Sequence, residues 1–561
     1  METMIFHPLE EYEKSLKQTH SAHTAAFFKE LEEKAKVQVE ENRATVAKYN
    51  AQQEKANGIQ KKAGLLKGLR IAAIVVAVLF IISSLLLLVM EEILLGVILL
   101  VLAIALFTIT RFVLKPKIQN LNQLVEQENA AAEQLLQACR KQMAPLNNLF
   151  DPWDGIRLLE KTIPLFSFQP NFLISQEQDM VDHYNFGAYD VKDESVIDTL
   201  SGTYNSNPFL FERRRIHEMG METYHGHKTI HWVERYTDGN GKRRTRHRSQ
   251  TLHATVTKPK PFYRTETKLH YGAQAGPDLS FSRDNKHLED KSERAIESMV
   301  RKGEKKLQKK AEKSMENNQN FMGMTNTEFD VLFDALDRDH EVQFRLLFTP
   351  LAQTNMVDLL LSETGYGDDF DFYKRRRMNT IVTEHAQHRD LLLQPKTLQS
   401  HDYDQVRQKF QSAHEEYFKS IYFDFAPLLA LPVYQERPVH SLDPIPDDYP
   451  RYTMRECEVL ANAMDPQQLV HPQSRTKAIL KATHTSSEGS ADTVRISAYT
   501  YDTIPRVDVV HMRGGDGRMH GVPVHWDEYI PLETHKQLLV STNRENANVH
   551  KHGLYARVLK S

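Results

Sequence analysis

The chain has 561 residues, with 71 Lys and Arg against 74 Asp and Glu and a formal net charge of −3. That balance excludes a polyanion binder acting through the whole molecule. Hydrophobic residues at 40% and charged residues at 26% exclude a largely disordered chain, and two cysteines exclude a disulfide framework.

In chain order, residues 1–64 read as a cytoplasmic helical arm. No proline follows Pro8 and no glycine precedes Gly58, and Phe27, Leu31, Ala35, Val39 and Val46 supply an apolar spacing. Residues 65–114 then read as a transmembrane helical hairpin. Ile71–Met90 is a span of 20 residues without a charge; after Glu91 and Glu92, residues 93–110 give a second span of 18. At about 1.5 Å per residue, each matches a hydrocarbon core of about 30 Å. Lys61, Lys62, Lys67 and Arg70 precede the first span, and Arg111, Lys115 and Lys117 follow the second. The positive-inside rule therefore places both termini in the cytoplasm of a two-span inner (plasma) membrane protein. Neither span holds an ionisable residue for an ion path, so the lipid bilayer is a partner and the hairpin an anchor.

Residues 115–150 form a second helical arm with two seven-residue rows. Ile118, Val125, Ala132, Cys139 and Leu146 make one; Leu121, Glu128, Leu135, Gln142 and Leu149 make the other. The hairpin returns this arm to the first, which predicts an antiparallel coiled-coil stalk. Pairing with another copy in a homo-oligomer is equally compatible with the rows.

The expected fold class is α+β, with the hairpin and stalk carrying a large cytoplasmic body of mixed antiparallel sheet and helix. Residues 151–431 read as an α+β domain, 432–451 as a proline-rich linker, and 452–561 as a β-rich C-terminal subdomain. Thr229–Thr237 and Thr251–Val256 alternate around Asp238-Gly239-Asn240-Gly241, a hairpin whose Ile230, Trp232 and Tyr236 share a side. Ser282–Asn318 reads as a charged helix bent near Gly303, Glu328–Phe348 as a short helix or strand pair, and Tyr403–Ile421 as an amphipathic helix. A helix over Tyr452–Met464 and strands over Lys477–Ala482, Thr493–Tyr501, Val507–Met512 and Val522–Tyr529 complete the body.

The two-pass layout and the stretch EFDVLFDALDRDHEVQFRLLFTP, Glu328–Pro350, resemble a family of bacterial two-pass membrane proteins with a cytoplasmic domain of unknown function. The resemblance covers the layout of about residues 1–430. It implies the stalk-and-body arrangement and carries no active site; the basic hairpin and charged helix depart from it.

No nucleotide-binding, nucleophile-elbow or zinc-protease motif occurs. Asp334, Asp337, Asp339 and Glu341 lack the spacing of a calcium loop and read as a solvated acidic edge. His217, His225, His227, His231, His247, His253 and His270 place seven histidines in 54 residues. His225, His227 and His231 are the metal candidates, with zinc the ion such imidazoles would take; surface histidines of a sheet are the competing reading. His385 and His388 raise the same question at i, i+3 spacing. Lys242, Arg243, Arg244, Arg246 and Arg248 put five cations in seven residues, and seven more lie between Met299 and Lys313. These fit anionic lipid headgroups or an acidic protein partner; no nucleic-acid-binding motif accompanies them. The expected function is a membrane-anchored cytoplasmic interaction or scaffold protein. The alternative is a membrane-tethered enzyme, metal-dependent through residues 217–270.

Overall fold

In the computed structural model, residues 4–559 are described apart from 90–91, 188–191, 238, 240, 317–322, 439–450, 545–546, 548 and 552. Most of the proline-rich stretch and parts of both predicted turns, at 91 and at 238 and 240, therefore lie outside the described residues. The chain divides into two compact units. One comprises Met1–Thr19, Ile156–Leu391 and Phe418–Ser561, the other His20–Gly155 and Leu392–Tyr417.

The second unit is helical. Its first arm is not one helix: Lys36 has a left-handed φ of 52°, and the break separates Lys17–Ala35 from α1, Val39–Val89. Next come α2, Ile93–Ile109, a π-helical turn over Thr110–Leu114, and α3, Lys115–Asn147. Two of these helical stretches are long and apolar enough to cross a membrane. Leu79, Leu85, Leu94, Ile104 and Phe107 on them are exposed.

α1 runs antiparallel to the return limb. Ser84 Oγ donates to the Gly96 carbonyl at 2.7 Å, Lys55 meets Glu128 at 2.6 Å, and Gln142 donates to Thr45 Oγ1 at 3.2 Å. The buried seam of α1 includes Asn42, Ala56, Ala63, Ala77 and Ser84, spaced in multiples of seven. The return limb buries Gly96, Ala103 and Thr110, then Ile118, Ala132, Cys139 and Leu146. The step from Thr110 to Ile118 is eight residues, and the π turn absorbs the extra one, keeping the seam on one side. Small side chains along this seam let the backbones approach closely. Glu128 and Gln142 are tolerated in the second row because α1 supplies polar partners; Leu149 lies beyond the end of α3 and is 38% exposed.

The first unit is built on two antiparallel sheets. The seven-stranded sheet comprises β1 (Phe166–Gln169), β2 (Glu194–Tyr204), β3 (Asn207–Thr237), β4 (Arg243–Gly272), β5 (Ser280–Arg283), β6 (Phe370–Arg375) and β7 (Met378–Thr383), in the order β1-β2-β3-β4-β7-β6-β5. The five-stranded sheet comprises β8 (Ile479–Glu488), β9 (Ala491–Arg513), β10 (Met519–Ser541), β11 (Val549–Lys551) and β12 (Leu554–Val558), in the order β11-β12-β10-β9-β8. Phe166, Phe209 and Phe211 pack edge-on around Phe425 in the core of the first sheet.

Several expected elements change in extent. The hairpin strands span 31 and 30 residues, far beyond their alternating centres. The segments at 493–501 and 507–512 are one strand, β9. Glu293–Glu316 is a continuous helix; Gly303 does not bend it but leaves room for Val331, whose methyls would collide with a Cβ there. Glu328–Phe348 resolves into helices Thr327–Phe333 and Glu341–Leu347. Helix α4 runs Tyr403–Leu429, with Val406, Phe410, Tyr417 and Ile421 all buried as their spacing predicts. Helix α5 is Met454–Asn462, capped by Thr453, whose side chain accepts from the Glu456 amide.

Candidate functional site

β3 and β4 pair without interruption from Phe209↔Tyr271 to Thr237↔Arg243. β2 covers β3 only as far as Ile216, and β7 covers β4 only over Leu269–Gly272, so the remaining length is a two-stranded ribbon. β9 and β10 form a second ribbon, paired from Ala491↔Ser541 to Arg513↔Met519. The ribbons pack face to face over a buried cluster of Ile230, Leu252, Ala254, Val522 and Val524. Lys258 reaches across to Asp508 at 2.7 Å and lies 4.3 Å above the Trp526 ring. Gly226 is required where the ribbons meet. A Cβ there would collide with the Pro523 carbonyl oxygen and stand 2.9 Å from Val524 Cγ2.

The ribbons end at different levels. The Gly514-Gly515 turn of the second lies against Ile230 and Trp232 of the first. Trp232 pairs with Arg248, and five further pairs lead to Thr237↔Arg243. At about 3.3 Å per residue, the first ribbon overhangs the second by roughly 16 Å. Lys242, Arg243, Arg244 and Arg246 lie in this overhang and Arg248 at its base, all exposed. Arg248 meets Glu234 at 3.0 Å, a surface pair worth little.

The structure sets the predicted metal candidates in a row instead of around a point. His225, His227 and His231 lie on the exposed face of β3, opposite the face that buries Ile230. His231 is four residues from His227, about 13 Å along a strand. The register instead places His253 directly across from His227, with ring centroids 6.5 Å apart, and His247 across from Val233. Among the described residues, His287, Glu289 and Asp290 offer three ligand atoms within 4.8 Å of one another, on the surface. His385 has no nitrogen to spare: Nδ1 meets Asp369 at 2.5 Å and Nε2 meets Asp424 at 3.1 Å. Burial opposes its charge, but the two carboxylates outweigh burial and raise its pKa to about 9, while Asp424 is lowered to about 2. His388 closes the same 3-10 turn. The acidic edge is partly paired: Asp334 meets Lys286 at 2.7 Å and Glu341 meets Arg338 at 3.0 Å.

Sequence reasoning missed the charged groups that hold the ribbon bases. α5 buries Arg455, Glu456 and Glu458. Glu212 of β3, wholly buried, accepts from Arg455 Nε at 3.1 Å and from Arg214 at 2.5 Å, and Arg455 also pairs with Glu177. Glu456 accepts from the Phe172 amide and Thr199 Oγ1, each at 2.7 Å, and meets Lys551. Glu458 accepts from the Val196 amide at 2.7 Å and meets Lys481 at 3.0 Å; burial raises its pKa to about 7. A charge-rich nine-residue helix reads as surface in sequence because its partners lie some 240 to 280 positions away.

No family model, curated protein sequence or solved structure matches this chain.

Proposed function

We propose that this chain is a membrane-anchored cytoplasmic interaction protein whose two packed ribbons form an arm that docks through its basic tip on an anionic lipid surface. In this reading the two apolar helices insert as a two-span hairpin, with Lys61, Lys62, Lys67, Arg70, Arg111, Lys115 and Lys117 keeping both termini cytoplasmic. The seven-residue seam of α1 and α3 serves as an antiparallel coiled-coil stalk. The observation that carries the reading is the overhang: four exposed cations, with Arg248 at their base, on a two-stranded ribbon that extends past the shorter ribbon beside it. Near an anionic leaflet each such charge contributes about 1 kcal/mol.

The test uses full-length protein in neutral-lipid nanodiscs and vesicles containing an anionic lipid. Binding at low salt should fade as salt rises, and Arg243→Glu with Arg244→Glu and Arg246→Glu should weaken it about a hundredfold. Absence of binding at low salt, or binding indifferent to the reversals, refutes the reading; an acidic protein is then the remaining partner for the tip. The enzyme alternative has one feature in its favour, the cross-strand His227–His253 pair. Stoichiometric zinc in the purified chain, lost in His227→Ala, would support it.

A further inference from the structure

The helix Glu293–Glu316 gathers its cations on one face. At about 100° per residue, Arg301, Lys302, Lys305, Lys306, Lys309 and Lys313 fall within an arc of about 140° and run for about 18 Å along the axis. Between Arg301 and Lys313 that arc holds one acid, Glu312; Glu304 lies on the flank, where it accepts from Thr327 Oγ1 at 2.9 Å. All six cations are exposed, and among the described residues none meets a carboxylate.

The opposite face of the helix explains why the cations point outward. Ile296, Val300 and Leu307 are half-buried there, and Gly303 lets Val331 of the helix Thr327–Phe333 come close. The apolar side is thus used inside the fold and is not free to lie in a bilayer, as the apolar side of a membrane-surface helix does. What the helix offers a partner is charge on aliphatic stems.

A surface of opposite character lies on the same compact unit. The chain after Phe333 follows the outer edge of β5. Leu336 exchanges backbone hydrogen bonds with Ser282 at 2.7 and 3.1 Å, and the Asp339 carboxylate accepts from the Ser280 amide at 2.7 Å. Asp334, Asp337 and Asp339 are exposed. Asp334 meets Lys286, whereas among the described residues Asp337 and Asp339 meet no cation. The arginines of this segment are engaged: Arg338 meets Asp330 and Glu341, each at 3.0 Å, and Arg345 donates to the Gly323 carbonyl at 3.1 Å. The helix that follows, Glu341–Leu347, buries Phe344 and Leu347 and leaves Val342 64% and Leu346 70% exposed. Being four residues apart on a helix, Val342 and Leu346 stand about 6 Å from each other, as do Lys302 and Lys306.

We propose that the basic face of Glu293–Glu316 docks on the Asp334–Leu346 segment of a second copy of this chain. The lysine stems cover Val342 and Leu346, and their ammonium groups reach Asp337 and Asp339. Each copy presents one surface of each kind, so the contact joins unlike faces. Exposed ion pairs are individually weak, and several together select and orient the partner. The contact uses neither the ribbon tip nor the two apolar helices.

The experiment mixes two differently dyed pools of the full-length protein in detergent and reads energy transfer between them. Parent pools should associate at low salt, and the association should fade as salt rises. Lys302→Glu/Lys306→Glu/Lys309→Glu should weaken it at least tenfold, and so should Asp337→Lys/Asp339→Lys. Mixing these two variants with each other should restore association, because each surface then faces its opposite charge. Leu346→Lys, at an exposed position that makes no side-chain hydrogen bond, should also weaken it, and unchanged melting verifies the fold of every variant. The tip variant Arg243→Glu/Arg244→Glu/Arg246→Glu should associate as the parent does. No parental association at low salt, association kept in both charge-reversed variants, or no recovery on mixing them would each overturn the proposal. A monomeric parent that binds anionic vesicles or nucleic acid through Lys302, Lys306 and Lys309 would overturn it too, assigning the face to a polyanion.

Discussion

Replacing Gly226 by Ala tests whether the two ribbons behave as one arm. The new methyl would meet the Pro523 carbonyl oxygen, a backbone atom that no rotamer change can move, with Val524 Cγ2 at 2.9 Å. Ordinary carbon contacts lie near 3.5–4.0 Å, so the ribbons must part by about 1 Å, which forfeits up to about half of the dispersion attraction across the gap. Overpacking of this kind costs about 1–3 kcal/mol. The cluster at risk is small, five buried side chains, and far from the Phe425 core, so the loss should be local. At about 2 kcal/mol, the opening equilibrium of the arm rises roughly thirtyfold. Hydrogen exchange read by mass spectrometry should show that acceleration for residues 222–232 and 507–526, with β2 and β7 unchanged. Trp232 and Trp526, two of the three tryptophans, both lie on the arm, so their emission should shift red. Gly239→Ala is the control, since no atom lies within 4 Å of a Cβ there. Equal exchange in the two variants would refute face-to-face packing at Gly226.

Three further outcomes are expected. Cys139 and Cys457 are both buried, so an impermeant maleimide should label Glu92→Cys in intact cells against a clean background and Gly239→Cys only after permeabilisation; the reverse pattern sinks the inward orientation. Arg455→Met removes a buried partner of Glu212 and Glu177 and should destabilise the protein by about 3–5 kcal/mol in urea unfolding, against less than about 1 kcal/mol for exposed Arg506→Met. For His385 the folded pKa of about 9 exceeds the ordinary 6.5, so its stabilisation is complete below 6.5 and lost as pH rises through 9. The melting temperature should therefore fall across that window, and His385→Gln should be less stable at pH 6 and flatter above it; a parallel curve for the variant would show that this histidine is not charged in the fold.

Elements defined by near neighbours were legible in the sequence. Apolar runs long enough to span a bilayer and bounded by charge need no tertiary information, because length and composition alone define them. In the seven-residue row, Ile118, Ala132, Cys139 and Leu146 are buried and Val125 is half-buried, since a helix repeats its facing every few residues. The hairpin centre at Ile230 and Trp232 and the cations of its tip were equally plain, being set by alternation and one turn. What the sequence could not settle was decided across distance. The length of β3 and β4 exceeds their alternating core because packing against β9 and β10 gives Gly226 and Lys258 a place in a strand. The π turn at Thr110–Leu114 exists because a seam on α1 must be matched by a limb with one residue too many. Arg455, Glu456 and Glu458 are interior residues because carboxylates, cations and amides from β2, β3, β8 and β11 meet them there, and a buried charge is tolerable only where such partners converge.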